Sequence, residues 1–255
     1  MMHLMRRHAL VLVLITTASA CATGTISPAS QPAPAATPAT AQTIPTGIRW
    51  FAAAAEMRAA YVQTYRFATA VLERAAQGRA AGSWAVILDA DETVIDNSPY
   101  EIQQARIGVP YDSASWDAWV KRGAARAIPG AVQFTSRVHA LGGRVVIVTN
   151  RDQMYCDVSR ENILRVGVPA DEVLCRTDRA NGSKDPRFEA VQRGTAPSVL
   201  PPLDVLMWVG DNIQDFPHLG QAIRTAPDSA LTGFGERYIV LPNPMYGSWE
   251  RNPLP

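Results

Sequence analysis

Asp89 and Asp91 stand one residue apart, directly after the apolar run Ala85-Val86-Ile87-Leu88, in the stretch AVILDADETVIDNSPY. A buried strand that ends in two carboxylates is costly unless a cation or hydrogen-bond donors accompany them. The pair therefore points to chemistry. The same arrangement, a polar residue at the end of an apolar run, recurs at Thr149 after Arg144–Val148 and at Asp211 after Val205–Val209, with Asp215 shortly beyond. Lys184 lies in the polar loop between those two runs. With a phosphate ester held among these groups, Asp89 is suited to attack phosphorus and form an aspartyl-phosphate. Asp91 is suited to protonate the departing oxygen and then to take a proton from the attacking water. Carboxylates and a dianionic phosphate repel one another, so a hard divalent cation is required, and Mg²⁺ takes oxygen ligands. Asp89, the backbone carbonyl of Asp91 and Asp211 are the natural ligands, with Asp215 holding a water. Thr149 and Lys184 are placed to hold the phosphoryl oxygens. Asn150 and Arg151, next to Thr149, are candidates for contact with the substrate.

Each of these residues has a plainer reading when taken alone. Asp211-Asn212 is an ordinary turn, Thr149 a strand-end cap and Lys184 a solvated loop charge. Asp89 and Asp91 could begin a calcium loop, but such a loop needs an acceptor and then Gly where Thr93 and Val94 stand. The combination, in this order, carries the argument. No G-x-S-x-G elbow, Walker loop or G-x-G-x-x-G after a strand occurs in the sequence.

The elements that must position these residues follow from the apolar patterning. Trp50, Ala54, Met57, Tyr61, Tyr65, Ala68, Leu72 and Ala75 recur at steps of three and four, which predicts a helix from Ile48 to about Ala80. Its aromatic stripe is expected to pack against the domain. Strands are expected at Ala85–Leu88, Arg144–Val148, Glu172–Cys175, Val205–Val209 and Tyr238–Leu241, and helices at about 130–141, 152–166 and 216–224. Residues 98–126, rich in aromatics, are expected to form a small cap over the strand ends. Alternating strands and helices imply an α/β fold with a doubly wound, Rossmann-like parallel sheet, preceded by an N-terminal helical segment. In such sheets ligands bind beyond the carboxyl ends of the strands, where Asp89, Thr149 and Asp211 would converge.

At 255 residues the chain suffices for one sizeable domain, and its net charge of +1 carries no electrostatic footprint for nucleic acid. Residues 1–20 read as a signal peptide, with Arg6 and Arg7 before the apolar run Ala9–Ile15 and small residues to Ala20. Cys21 follows at once, as in bacterial lipoproteins, although Ala18 stands where such a box usually has Leu. Lipidation at Cys21 and plain secretion are both open. Residues 21–46, nearly all Ala, Pro, Ser, Thr and Gly, read as a tether ahead of a domain over 47–255. Export would place Cys156 and Cys175 in an oxidising compartment, where they are either a disulfide or two inert thiols. With only His139 and His218 in the mature part, a three-histidine zinc site is nearly excluded.

ILDADETV, VTNR, Lys184 and WVGDNIQDF, in that order, resemble the haloacid-dehalogenase (HAD) superfamily. Within it, DADETVIDNSPY, WDAWV, AIPGAVQF, VTNR, VGDNIQDF and LPNPMYGSWE look like the class C acid phosphatases, bacterial outer-membrane lipoproteins that act as 5′-nucleotidases. The resemblance runs from about Trp50 to Glu250. It implies Asp89 as nucleophile, Asp91 as acid/base, and Mg²⁺ on Asp89, the Asp91 carbonyl and Asp211, supported by Asp215. It also implies aromatic contacts to a nucleobase near the cap, at Trp116, Tyr246 and Tyr100. A Mg²⁺-dependent phosphomonoesterase of the bacterial envelope, anchored through Cys21 and acting on nucleoside monophosphates, is the resulting expectation. Phosphotransfer to an alcohol, or a catalytically silent nucleotide-binding lipoprotein, are the alternatives weighed against it.

Overall fold

A computed structural model describes residues 43–254. The signal segment, Cys21 and the tether up to residue 42 lie outside the described residues. The helices are α1 (Thr46–Ala53), α2 (Ala55–Ala75), α3 (Ser98–Ile107), α4 (Ser113–Arg122), α5 (Ala131–Ala140), α6 (Cys156–Arg165) and α7 (Asp185–Arg193). The strands are β1 (Trp84–Leu88), β2 (Ile95–Asp96), β3 (Arg126–Ala127), β4 (Arg144–Asp152), β5 (Glu172–Arg176), β6 (Asp204–Gly210) and β7 (Tyr238–Val240).

Five strands form one parallel sheet in the order β5-β4-β1-β6-β7. The strand order reverses at β1, so its carboxyl end lies at the topological switch point, where doubly wound sheets bind ligands. β1 is buried along its whole length because both faces are covered. Trp84, Val86 and Leu88 join the larger core with the α2 stripe and α5, while Ala85 and Ile87 join a second core with Phe188, Trp208 and Phe216. This alternation is the period of a strand.

The long N-terminal helix is broken where one continuous helix is expected. Ala54 is extended (φ −80°, ψ 137°) between α1 and α2. The break folds Phe51 back onto Tyr61, ring centroids 5.7 Å apart and nearly perpendicular. The aromatic stripe packs inward, and its hydroxyls do more than fill space. Tyr61 donates to the Glu92 carbonyl at 2.8 Å and the Pro242 carbonyl at 3.0 Å, and Tyr65 to the Thr93 carbonyl at 2.7 Å. Two tyrosines thus hold the loop that carries the acidic pair.

The cap is α3 and α4, closed at its base by the short antiparallel pair β2–β3. Asp112 caps α4 by accepting the amides of Ala114 and Ser115. Three further expectations need correction. β4 continues through Thr149-Asn150-Arg151 instead of ending at Val148. Asp152 does not cap the following helix with its side chain; its carboxylate pairs with Arg176 and Arg179. No continuous helix spans Phe216 to Arg224, because Pro217 and Gly220 interrupt it and His218 adopts φ 58°, leaving a short 3-10 turn at Gln221–Thr225. Cys156 and Cys175 form a disulfide, with their Cα atoms 5.8 Å apart, joining the start of α6 to β5.

Candidate active site

Asp89 leaves the sheet with its amide still bonded to the Val209 carbonyl at 3.0 Å, which keeps it beside the end of β6. Asp211 follows β6 directly, and Asp215 ends the 3-10 turn Ile213–Asp215. That turn is fixed by Asn212, whose side chain accepts the Gln214 amide while its own amide donates to Asp215 Oδ2 at 2.8 Å. Close approach at this point needs Gly210, where an added Cβ would meet the Asp215 Cβ at 2.3 Å. As a result, carboxylate oxygens of Asp89, Asp211 and Asp215 all lie within 4.8 Å of one another.

Lys184 reaches this cluster from the position just before α7. Its buried ammonium donates to Asp215 Oδ1 at 2.7 Å and to Asp89 Oδ1. Burial alone would push that ammonium down, but Asp215 and Asp89 together hold it above its usual range. Burial pushes the Asp89 carboxyl up to about 7, Lys184 opposes the shift, and Asp215 and Asp91 add to it. Asp211 is raised well above the usual carboxylate range, by burial first and then by Asp215 and Asp89. Thr93 and the Asn243 amide donate to Asp211 at 3.2 and 2.8 Å. One ammonium does not balance three clustered carboxylates. An oxygen-only donor set carrying excess negative charge fits a hard divalent cation, and the residues present match that group.

Asp91 faces a different set of partners. Arg151 Nη2 donates to its Oδ1 at 2.7 Å and Nε to the same oxygen at 3.0 Å, while Asn97 Nδ2 donates there at 2.8 Å. Asp91 therefore sits beside Asp89 in sequence but apart from the three-carboxylate cluster in its contacts.

A cavity of about 680 Å³ opens over both acids and under the cap. It brings together Asp89, Asp91, Asn150, Arg151, Lys184, Asp211 and Asp215, with Trp116 from the cap and Tyr246 from the C-terminal segment. Two expected site residues are not on its wall. Thr149 is fully buried behind it, its hydroxyl accepting the Arg151 amide at 3.2 Å. Tyr100 is 2% exposed and belongs to the interior of the cap, because its hydroxyl bonds Ser115 Oγ and its ring packs edge-on against Trp116 at 5.3 Å. Arg151 does line the cavity, but its guanidinium is committed to Asp91 and lies 5.6 Å from the Trp116 ring. Asn150 is likewise committed, donating to the Gly182 carbonyl at 2.9 Å and accepting from Arg187 Nη2 at 2.6 Å.

Three participants carried no signal of spacing. Asn97 and Glu92 are fully buried beside Asp91, with the Asn97 amide donating to Glu92 Oε1 at 2.7 Å. Arg187 is 6% exposed and bonds the Thr149 carbonyl as well as Asn150, tying the end of β4 to the Lys184 loop. Its position three residues after Lys184 is the only hint the sequence holds.

Known proteins resemble this chain in sequence and in fold. The sequence matches the family described as HAD superfamily, subfamily IIIB (acid phosphatase), over residues 7–249. Two structures of the class C acid phosphatase from Bacillus anthracis, one with tungstate bound, superpose with a TM-score of 0.71 at 30% and 31% identity, covering 80% of this chain and 85% of theirs. Acid phosphatase 1 of Solanum lycopersicum is 33% identical over 82 residues, a match that spans about a third of that relative's length. With the family match running almost end to end and the acidic cluster at the switch point of the sheet, the chain belongs to the acid phosphatases of subfamily IIIB of the HAD superfamily.

Proposed function

We propose that this domain is a Mg²⁺-dependent phosphomonoesterase that hydrolyses nucleoside monophosphates and other small phosphate esters through an aspartyl-phosphate on Asp89. The observation that carries the proposal is the segregation of the two acids. Asp89 shares the carboxylate cluster with Asp211 and Asp215, whereas Asp91 is held outside it by Arg151 and Asn97. A nucleophile and a proton carrier need those separate surroundings.

When bound by Asp89, Asp211, Asp215 and the Asp91 carbonyl, Mg²⁺ would neutralise charge on the carboxylates and the phosphoryl oxygens. Asp89 attacks phosphorus and the bond to the ester oxygen breaks as Asp91 delivers a proton to that oxygen. Asp91 then takes a proton from water as the water oxygen attacks phosphorus, and the bond to Asp89 breaks to release phosphate. Lys184 holds the Asp89 carboxylate in place and offsets the charge that builds on the phosphoryl group. The tungstate in the Bacillus anthracis relative is a tetrahedral oxyanion like phosphate, in agreement with this reading.

Trp116 and Tyr246 supply aromatic surface to the cavity for a nucleobase. Stacking of that kind tolerates any base and is worth about 1–3 kcal/mol, which suits a broad nucleotide preference. The reading extends to a location in the bacterial envelope, with anchoring through Cys21, supported by the signal-like start of the sequence and by the Cys156–Cys175 disulfide, which belongs to an oxidising compartment. The test is phosphate release from nucleoside monophosphates with Mg²⁺ or with chelator. Release that needs the cation supports the proposal; no release under any divalent metal would sink it.

A further inference from the structure

Asn97 is fully buried and uses every hydrogen-bonding position of its side chain. Its Nδ2 donates to Asp91 Oδ1 at 2.8 Å and to Glu92 Oε2 at 3.3 Å. Its Oδ1 accepts from Trp119 Nε1 at 2.8 Å and from Arg151 Nη2 at 3.1 Å. Indole and guanidinium only donate and carboxylates accept, so these neighbours dictate which way the amide faces. Asp91 Oδ1 is consequently saturated by Asn97 and Arg151. Among the described residues its Oδ2 receives only the long Arg151 Nε contact at 3.3 Å, which leaves that oxygen for a substrate.

The donor that orients Asn97 comes from the cap. Trp119 is on α4, one turn after Trp116, and Trp116 lines the cavity. One helix therefore carries both a surface for the leaving group and the bond that orients the partner of Asp91. We propose that Asn97 is a positioning residue for proton transfer by Asp91, and that Trp119 makes that positioning depend on the cap. The inference rests on the reading of Asp91 as the proton donor. The proton passes from Asp91 Oδ2 to the ester oxygen as the phosphorus–oxygen bond breaks, while Asn97 and Trp119 exchange no proton with the substrate.

A residue that only supports the fold would lower activity on all substrates alike. A residue that aims the proton matters where the leaving oxygen needs one. The experiment compares kcat/KM, which reports the transfer to Asp89, for glycerol phosphate and for nitrophenyl phosphate, whose phenolate departs unprotonated. Asp91→Asn sets the scale and should lose about 100-fold more on glycerol phosphate than on nitrophenyl phosphate. Asn97→Ala should show an excess loss of about 10-fold in the same direction. Trp119→Phe keeps a ring but removes the N–H, and one lost hydrogen bond corresponds to an excess of about 3-fold. Because Asn97→Ala could also unfold the domain, Trp119→Phe keeps the proposal falsifiable. Excess losses in both variants support it. Equal losses on the two substrates in Trp119→Phe and Asn97→Ala, with the excess still present in Asp91→Asn, would overturn the positioning role alone. Equal losses in Asp91→Asn as well would overturn the role of Asp91 and this inference with it.

Discussion

Arg151 Nη2 lies 2.7 Å from Asp91 Oδ1, and the guanidinium making that bond is 1% exposed. It is anchored on its other side by Ser159 Oγ at 3.3 Å and stacks against Trp116. Removing it would leave Asp91 and Asn97 Oδ1 short of a buried donor. Arg151→Ala is expected to destabilise the domain by about 2–4 kcal/mol, since breaking a buried pair costs more than the pair contributes. Arg151→Lys should recover only part of that, because an ammonium cannot reproduce the planar fork. Chemical denaturation of the two variants measures both. A loss within error of zero for Arg151→Ala would show that the pair is not structural.

The carboxylate cluster predicts a pH-dependent response to cations. In the metal-free protein Asp89 is raised from 3.8 to about 7 by burial. A raised acid favours the folded state at low pH, and that contribution is lost as pH rises towards 7. A divalent cation binds the ionised form and offsets the loss. Mg²⁺ should therefore raise the melting temperature by several degrees at pH 7.5 and have little effect at pH 5. Thermal unfolding at the two pH values is the measurement, and a larger shift at pH 5 would contradict the assignment of the cluster.

Glu101, which lines the cavity from α3, offers a second pH test. Burial and then Glu250 push its carboxyl from 4.5 up to about 7. The folded state binds its proton more tightly than the unfolded state, so stability from this group is present below pH 4.5 and lost as pH rises through 7. Glu101→Gln removes the titration. Discounted for its partial exposure, the variant should gain about 1–2 kcal/mol on the wild type between pH 5 and pH 8. Parallel stability curves over that range would contradict the shift.

Trp116 lines the cavity from α4, and the proposed nucleobase contact there has a kinetic consequence. Trp116→Ala should raise KM for nucleoside monophosphates by about 10-fold, within the range expected for one stacked base, and change KM for a small alkyl phosphate far less. Steady-state kinetics on both substrates decides it. Equal changes would remove Trp116 as a stacking residue.

Much of the site was legible because its residues break a local rule. Asp89 and Asp211 interrupt apolar runs, and carboxylates at the ends of buried strands need a reason to be there. The parallel sheet was legible from the same runs. What escaped was polar and long-range. Asn97, Glu92 and Arg187 have no periodicity, and their partners lie in other elements. α7 has little apolar periodicity because DPRFEAVQR is mostly polar, although Pro186 in its first turn is a starting signal. The break at Ala54 lies in an alanine run that favours helix, so tertiary packing of Phe51 on Tyr61 decides it. The resemblance implies Tyr100 as a substrate contact, but aromatics near a cap share one composition whether they line a cavity or, like Tyr100, fill the cap itself.

The central claim is that Asp89 carries the phosphoryl group. The most direct measurement is rapid acid quenching of the Mg²⁺-loaded enzyme with a phosphate-labelled substrate, followed by peptide mapping of the label. A hydroxylamine-sensitive label is expected on the peptide containing Asp89, with neither label nor turnover in Asp89→Asn. Turnover that persists in Asp89→Asn, or label on a different residue, would contradict it.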